Sequence, residues 1–190
     1  MHDPRAFFGL GLAYAAGSNR GACHVSTNTM MVEFGAAMYP ELGLDKEYVG
    51  MSSEYKAEMV AQCSFFGSIH SSASICEFTQ GGFQLGDYVE LFNTIAGYDW
   101  DIDKMMKAAQ RVWYLKRSLS HLFGLKAADD TLPKRLRTAL HGGPTEGSAP
   151  DIDSLLKEFY QVMDLDPLTG KPSRAKLQSL GLGSVADKIW

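Results

Sequence analysis

Between Trp100 and Gly124, the apolar residues Ile102, Met105, Met106, Ala109, Val112, Trp113, Leu119, Leu122 and Phe123 recur every three to four positions. Only a helix, here of about six turns, gathers such a series on one face. Asp101 stands where an N-cap carboxylate belongs, and Gly124 where the helix should stop. A stripe this long must be covered by other elements, and no alternating strand pattern of convincing length occurs to cover it. The expected class is therefore all-α: an irregular helical domain with a loop-rich N-terminal segment. Residues 1–51 carry recurrent Gly and Pro and read as mostly irregular chain. Residues 52–140 form the helical core, with an earlier helix from Ser53 to near His70 and a shorter one starting at Asp87 and ending at Gly97. Residues 151–190 add a helix from Ile152 to Met163 and one last short helix after Pro172.

Charge and length narrow the function classes. The chain has 190 residues with a formal net charge of -4, and its 18 basic residues are dispersed rather than clustered, so neither a nucleic-acid footprint nor a polybasic membrane patch is expected. No apolar run reaches membrane-spanning length, and MHDPRAFF lacks the basic region and long apolar core of a signal peptide. The expected compartment is the cytoplasm. Cys23, Cys63 and Cys76 make an odd count with no CxxC pair, a poor disulfide framework that fits a reducing setting.

Four stretches carry residue types with chemistry. GLGLAYAAG, Gly9 to Gly17, lacks the third glycine of GxGxxG spacing and no clear strand precedes it, so its glycines read as close packing or positive φ. In SNRGACH, Ser18 to His24, the adjacent Cys23 and His24 point in different directions on any regular element and are poorly placed to share one metal. A nucleophilic Cys with a His base would need convergence in space that adjacency does not supply, and a packed thiol is the plainer reading for Cys23 and Cys63. SSASICEFT, Ser71 to Thr79, places Cys76 after small polar residues that end a helix. ADDTLPKR, Ala128 to Arg135, reads as a turn whose acids cap or pair locally, with Pro133 at a helix N1 position.

Taken in order, HDPRAFFGLGLAYAAGSNRGACH at 2–24, SSASICEFT at 71–79, the Trp113 helix, DDTLPKR at 129–135 and KLQSLGL at 176–182 resemble the C-terminal part of the tungsten-containing aldehyde:ferredoxin oxidoreductase family. The resemblance implies an enzyme that holds tungsten between two molybdopterin-type pterins beside a 4Fe-4S cluster. Such an enzyme oxidises an aldehyde to a carboxylic acid and passes electrons singly to ferredoxin. By the same matching, Cys76 falls on the fourth cluster cysteine, the other three belonging to an earlier CxxCxxxC segment. His24 falls on the histidine near the tungsten, a group suited to moving a proton near neutrality. Ser26, Ser71 and Ile75 fall on positions that face the pterin, with Asn19 and Arg20 supporting that loop.

Two departures qualify the match. Ser26 stands where some relatives offer a lysine, and SSASIC stands where the family commonly reads DxxGLC, so that Ser71 replaces a carboxylate acceptor with a neutral hydroxyl. A branch of the family reduces aromatic acyl thioesters, which leaves the reaction direction open. Met1 directly precedes HDPR, a motif internal to the family. The expectation is a fragment without the pterin-cradling N-terminal domain and middle segment, inactive alone, with His24 and Cys76 as exposed half-sites and self-association compatible. Two other readings remain at this point: a helical binding or scaffold module that keeps the family core, and a mononuclear metal protein using Cys23, His24, Cys63 and Cys76.

Overall fold

The computed structural model describes residues 2–19 and 21–190, and among them there is no sheet, only isolated bridges. Eight α-helices follow one another: α1 Phe8–Leu12, α2 Thr29–Glu33, α3 Lys56–Ala73, α4 Leu85–Ala96, α5 Ile102–Leu122, α6 Ile152–Val162, α7 Arg174–Ser179 and α8 Gly183–Ile189. The chain is all-α, as its patterning requires.

Helix α3 is the centre of the fold. Nearly every residue from Lys56 to His70 is buried, because α1, α5 and α6 pack on different sides of it. A helix apolar all round has no single stripe, so its period is weak even though its position is the most interior. Phe65 meets the edge of Trp113 of α5 at 6.2 Å, and Trp113 in turn meets Phe159 of α6 at 6.4 Å. These rings join three helices into one core that runs from Phe8 to Ile189.

The expected ends hold to within a few residues at α5 and α6. The Asp101 carboxylate accepts from the Lys104 amide at 2.7 Å, and Asp151 does the same for Ser154 at 3.3 Å. Elsewhere the structure corrects the sequence reading. Helix α3 starts at Lys56, three residues late, because Tyr55 has φ of 59°. Helix α4 starts at Leu85, since Asp87 is the reaching-back member of a capping box and accepts from the Gln84 amide at 2.7 Å. The tail holds two short helices rather than one, separated at Gly181 with φ of 68°.

The largest correction concerns residues 8–17, which are helical and wholly buried: α1 continues into a five-residue π turn, Ala13–Gly17. The irregular-chain reading of this stretch is corrected, while close packing at its glycines holds, since they admit neighbours within a helix. A Cβ on Gly17 would meet Val60 of α3 at 2.8 Å. The last turns of α5 also depart from expectation, with Leu119, Leu122 and Phe123 exposed while Arg117 and Ser118 take the buried face.

Two ion pairs lie inside this core. Lys56 Nζ meets Glu33 Oε1 at 2.6 Å with both side chains fully buried, and the same carboxylate accepts the Gly9 and Leu10 amides at 3.0 and 3.2 Å. Burial pushes the Glu33 carboxyl above its usual range, with the Lys56 ammonium and the two amides pulling the other way. The second pair corrects the local reading of DDTLPKR. Asp129 does accept locally, from the Lys126 amide at 2.8 Å. Asp130 instead is buried, takes both terminal nitrogens of Arg117 of α5, and accepts the Tyr160 hydroxyl of α6. Arg117 Nε and Nη2 also donate to the Gly170 carbonyl, each at 3.2 Å. Pro133 precedes a short 3-10 turn at Lys134–Arg137 and does not open an α-helix.

Candidate functional site

The C-terminal half of α3 meets the loop that carries Ser26 and ends just before Ile75 and Cys76. Gly67 sits on the face of α3 that meets the loop after α1, and a Cβ there would overlap the Ser26 carbonyl oxygen. The loop thus lies backbone against backbone on the helix, which only glycine permits. Gly67→Ala is expected to force the Ser26–Thr27 segment outward and to destabilise the chain by about 1–3 kcal/mol. A urea titration checks the stability change, and altered signals at His24 check the displacement.

Ser26 donates to Ser18 Oγ at 2.7 Å and lies 3.1 Å from the Cys23 carbonyl oxygen, closing the loop that carries His24. One small polar pocket is lined by Ser18, Asn19, Ser26, Ser64, Ser68 and Ser71, with Gly17, Gly67, Trp113 and Lys116 completing its wall. Ser26 and Ser71, 45 positions apart in sequence, therefore face the same space. Helix α5 fixes the start of the loop, since Trp113 Nε1 donates to the Gly17 carbonyl at 2.9 Å and Asn19 Nδ2 donates to the Trp113 carbonyl at 3.2 Å. Arg20 lies outside the described residues.

Helix α3 ends at Ala73, and Ser74 turns the chain with φ of 56°. Ile75 then donates its amide to the His70 carbonyl at 3.0 Å and packs its side chain on the core. Cys76 follows as an exposed free thiol, opening the 3-10 turn Glu77–Gly81. This turn is tied back to the histidine loop: Asn28, whose amide donates to the His24 carbonyl at 3.2 Å, donates through Nδ2 to Gln80 Oε1 at 2.9 Å. His24 itself is half-buried, its ring edge-on to that of His2 at 4.9 Å. Burial, then the His2 imidazole, hold it below the ordinary imidazole range, which favours the neutral ring, a form able to accept a proton.

The structure brings Ser26 and Ser71 to one pocket and joins the His24 loop to the Cys76 turn. It does not gather the four residues of the mononuclear metal reading. Cys63 is buried within α3, where desolvation pushes its thiol far above the usual range. Among the described residues no three of His, Cys, Asp or Glu converge as a metal site. Gly67, Asn28 and Gln80 were not singled out by sequence. Gly67 had a signal, a glycine inside an otherwise helical apolar run, which marks close approach of another backbone. Asn28 and Gln80 had none.

A model of the family described as aldehyde ferredoxin oxidoreductase, domains 2 and 3, matches residues 1–182. The tungsten-containing aldehyde ferredoxin oxidoreductase of Pyrococcus furiosus is 32% identical over 183 residues, and that of Pyrococcus horikoshii 31% over 187. The protein of the same name from Thermococcus kodakarensis is 29% identical over 183 residues. Each match covers 95% of this chain and 29% of the relative. No helix among the described residues is long and apolar enough to cross a membrane. With a family model spanning nearly its whole length, the chain belongs to the aldehyde ferredoxin oxidoreductase family, and its match lies within that family's domains 2 and 3.

Proposed function

We propose that this chain forms one wall of the active site of a cytoplasmic tungstopterin, iron-sulfur oxidoreductase that converts aldehydes to carboxylic acids with ferredoxin as electron acceptor. In this reading the wall acts only with the remaining domains of the enzyme, and residues 1–190 alone are inactive. What carries the reading is the way α3 collects the motif residues: the backbone contact at Gly67 sets Ser26 over the pocket that Ser71 lines, and the Asn28–Gln80 bond ties the His24 loop to the Cys76 turn.

The residues present fit one side of such a site. Cys76 offers one exposed thiol where a cubane takes four thiolates, so the other three come from elsewhere. The serine-lined pocket has room for no more than a water molecule, so its hydroxyls offer neutral donors and acceptors only to a pterin lying across its mouth. When bound, the metallopterin and cluster supply the two-electron oxidation and the one-electron exit.

The chain's own groups do the rest. Aldehyde and water give carboxylic acid, two protons and two electrons, and the neutral His24 ring accepts one of those protons as the new oxygen is added. Ser26 has its hydroxyl hydrogen engaged within its loop and presents oxygen lone pairs, while Ser71 presents a free-turning hydroxyl in place of the carboxylate common at its position. Ile75, packed on the core and bonded through its amide to the His70 carbonyl, anchors the chain that leads to Cys76.

The test is a pair of substitutions in the assembled enzyme. Cys76→Ala is expected to disturb cluster content and its electron paramagnetic resonance, whereas His24→Ala keeps that signal and slows turnover by about 10²–10⁴-fold. An unchanged cluster in Cys76→Ala overturns the assignment and favours the scaffold reading.

A further inference from the structure

Beneath the Cys76 turn, a line of hydrogen bonds joins three elements. His70, buried near the end of α3, places Nδ1 3.2 Å from the Phe66 carbonyl oxygen and Nε2 3.2 Å from the Tyr88 hydroxyl of α4. That hydroxyl lies 2.8 Å from Thr79 Oγ1, which donates to the Cys76 carbonyl oxygen at 2.7 Å. The line begins and ends on carbonyl oxygens that bring no hydrogen, so its four contacts are filled from the imidazole, the tyrosine and the threonine. A neutral imidazole brings one hydrogen and each hydroxyl one, which leaves one contact empty. An imidazolium brings two and fills all four. Because either hydroxyl of the Tyr88–Thr79 pair can be the donor, the empty contact can fall at either end of the line, the Thr79–Cys76 end included, as long as the ring is neutral.

We propose that His70, Tyr88 and Thr79 are positioning residues for Cys76, fixing the carbonyl end of its turn, and that proton uptake at His70 tightens the turn. Burial holds His70 below the ordinary imidazole range, with the Phe66 carbonyl pulling the other way, so uptake of the second proton requires acidification. The ring itself faces the aromatic rings of Phe66 and Tyr88. The other titratable groups at the junction act on Tyr88: Tyr39, whose hydroxyl donates to the Gln80 carbonyl at 3.3 Å, and Asp87 of α4. The consequence for a bound cluster rests on the assignment of Cys76 made above, but the geometry of the line does not.

Nuclear magnetic resonance on the chain of residues 1–190 tests this without any cofactor. The Thr79 amide, which donates to the Cys76 carbonyl at 3.1 Å, is the reporter. Its protection from exchange is expected to rise about three- to tenfold as His70 takes its second proton, the worth of one added hydrogen bond. Thr79→Val is expected to abolish that rise and to lower the His70 titration point, although position 79 does not touch the ring, and Thr79→Ser is expected to restore both. Tyr88→Phe lowers the titration point further. A His70 titration that is the same in Thr79→Val and the wild type, or protection that does not change with pH, overturns the proposal. Should Tyr88→Phe fail to fold, the two Thr79 variants decide the matter. Loss of cluster signal in Cys76→Ala is a separate result, so failure of the functional reading and failure of this one are distinguishable.

Discussion

Glu33→Ala is expected to lower the stability of the chain by about 3–5 kcal/mol, the range for removing one partner of a buried ion pair. The substitution leaves the Lys56 ammonium fully buried without its carboxylate and strips the first turn of α1 of the acceptor for its Gly9 and Leu10 amides. Both losses fall where α1, α2 and α3 meet. Lys56→Met, in contrast, leaves the carboxylate with two amide donors, and its effect is expected to be smaller. The double variant Glu33→Gln/Lys56→Met removes both charges while keeping an acceptor for the amides. It is expected to recover more than half of the Glu33→Ala loss, because an uncharged, well-packed replacement avoids the desolvation of both ions. Urea unfolding of the four proteins gives their order. A double variant no more stable than Glu33→Ala contradicts it.

Asp130→Ala carries the second large expected effect, also about 3–5 kcal/mol. Arg117 would keep only the Gly170 carbonyl, and the Tyr160 hydroxyl would lose the acceptor at its buried end. Asp130→Asn keeps the shape and one acceptor oxygen and is expected to fall between the wild type and Asp130→Ala. Tyr160→Phe removes a single hydroxyl and is expected to cost about 1 kcal/mol. The order matters as much as the sizes: a Tyr160→Phe effect equal to that of Asp130→Ala would mean that the carboxylate is not the hub. Thermal unfolding of the three variants gives the order directly.

These two clamps also mark what sequence could and could not disclose. The helices α5 and α6 were legible because each has one apolar face and a capping acid, signals that are local and periodic. Helix α3 was legible in extent but not in rank, since burial on all sides erases the stripe that would have announced it. The helix at residues 8–17 was illegible for a different reason: recurrent Gly and Pro read as irregular chain, and the close packing that its glycines suggested shows its helical setting only once Met59, Pro4 and Val60 are in place. Glu33 and Lys56 are 23 positions apart and carry no pattern. Asp130 stood inside a recognisable motif, yet its partner is 13 positions upstream on another element. For the candidate site, the family motifs named His24 and Cys76, but the links that hold their segments together, Gly67 against Ser26 and Asn28 to Gln80, depend on contacts between segments that no single stretch encodes.

Ser74 shows how much freedom the approach to Cys76 retains. The related pattern DxxGLC puts glycine at this place, and the backbone here adopts the left-handed turn that glycine favours, with a serine in it and φ of 56°. The path from α3 into the thiol is therefore dictated by the helix end and by Ile75 anchored on the core, not by the identity of residue 74. A turn specified from its two flanks can exchange its middle residue without losing its shape. Variation in this lineage can thus retune the polarity next to the thiol while the thiol itself stays in register, and the same holds for anyone transplanting the segment into another scaffold.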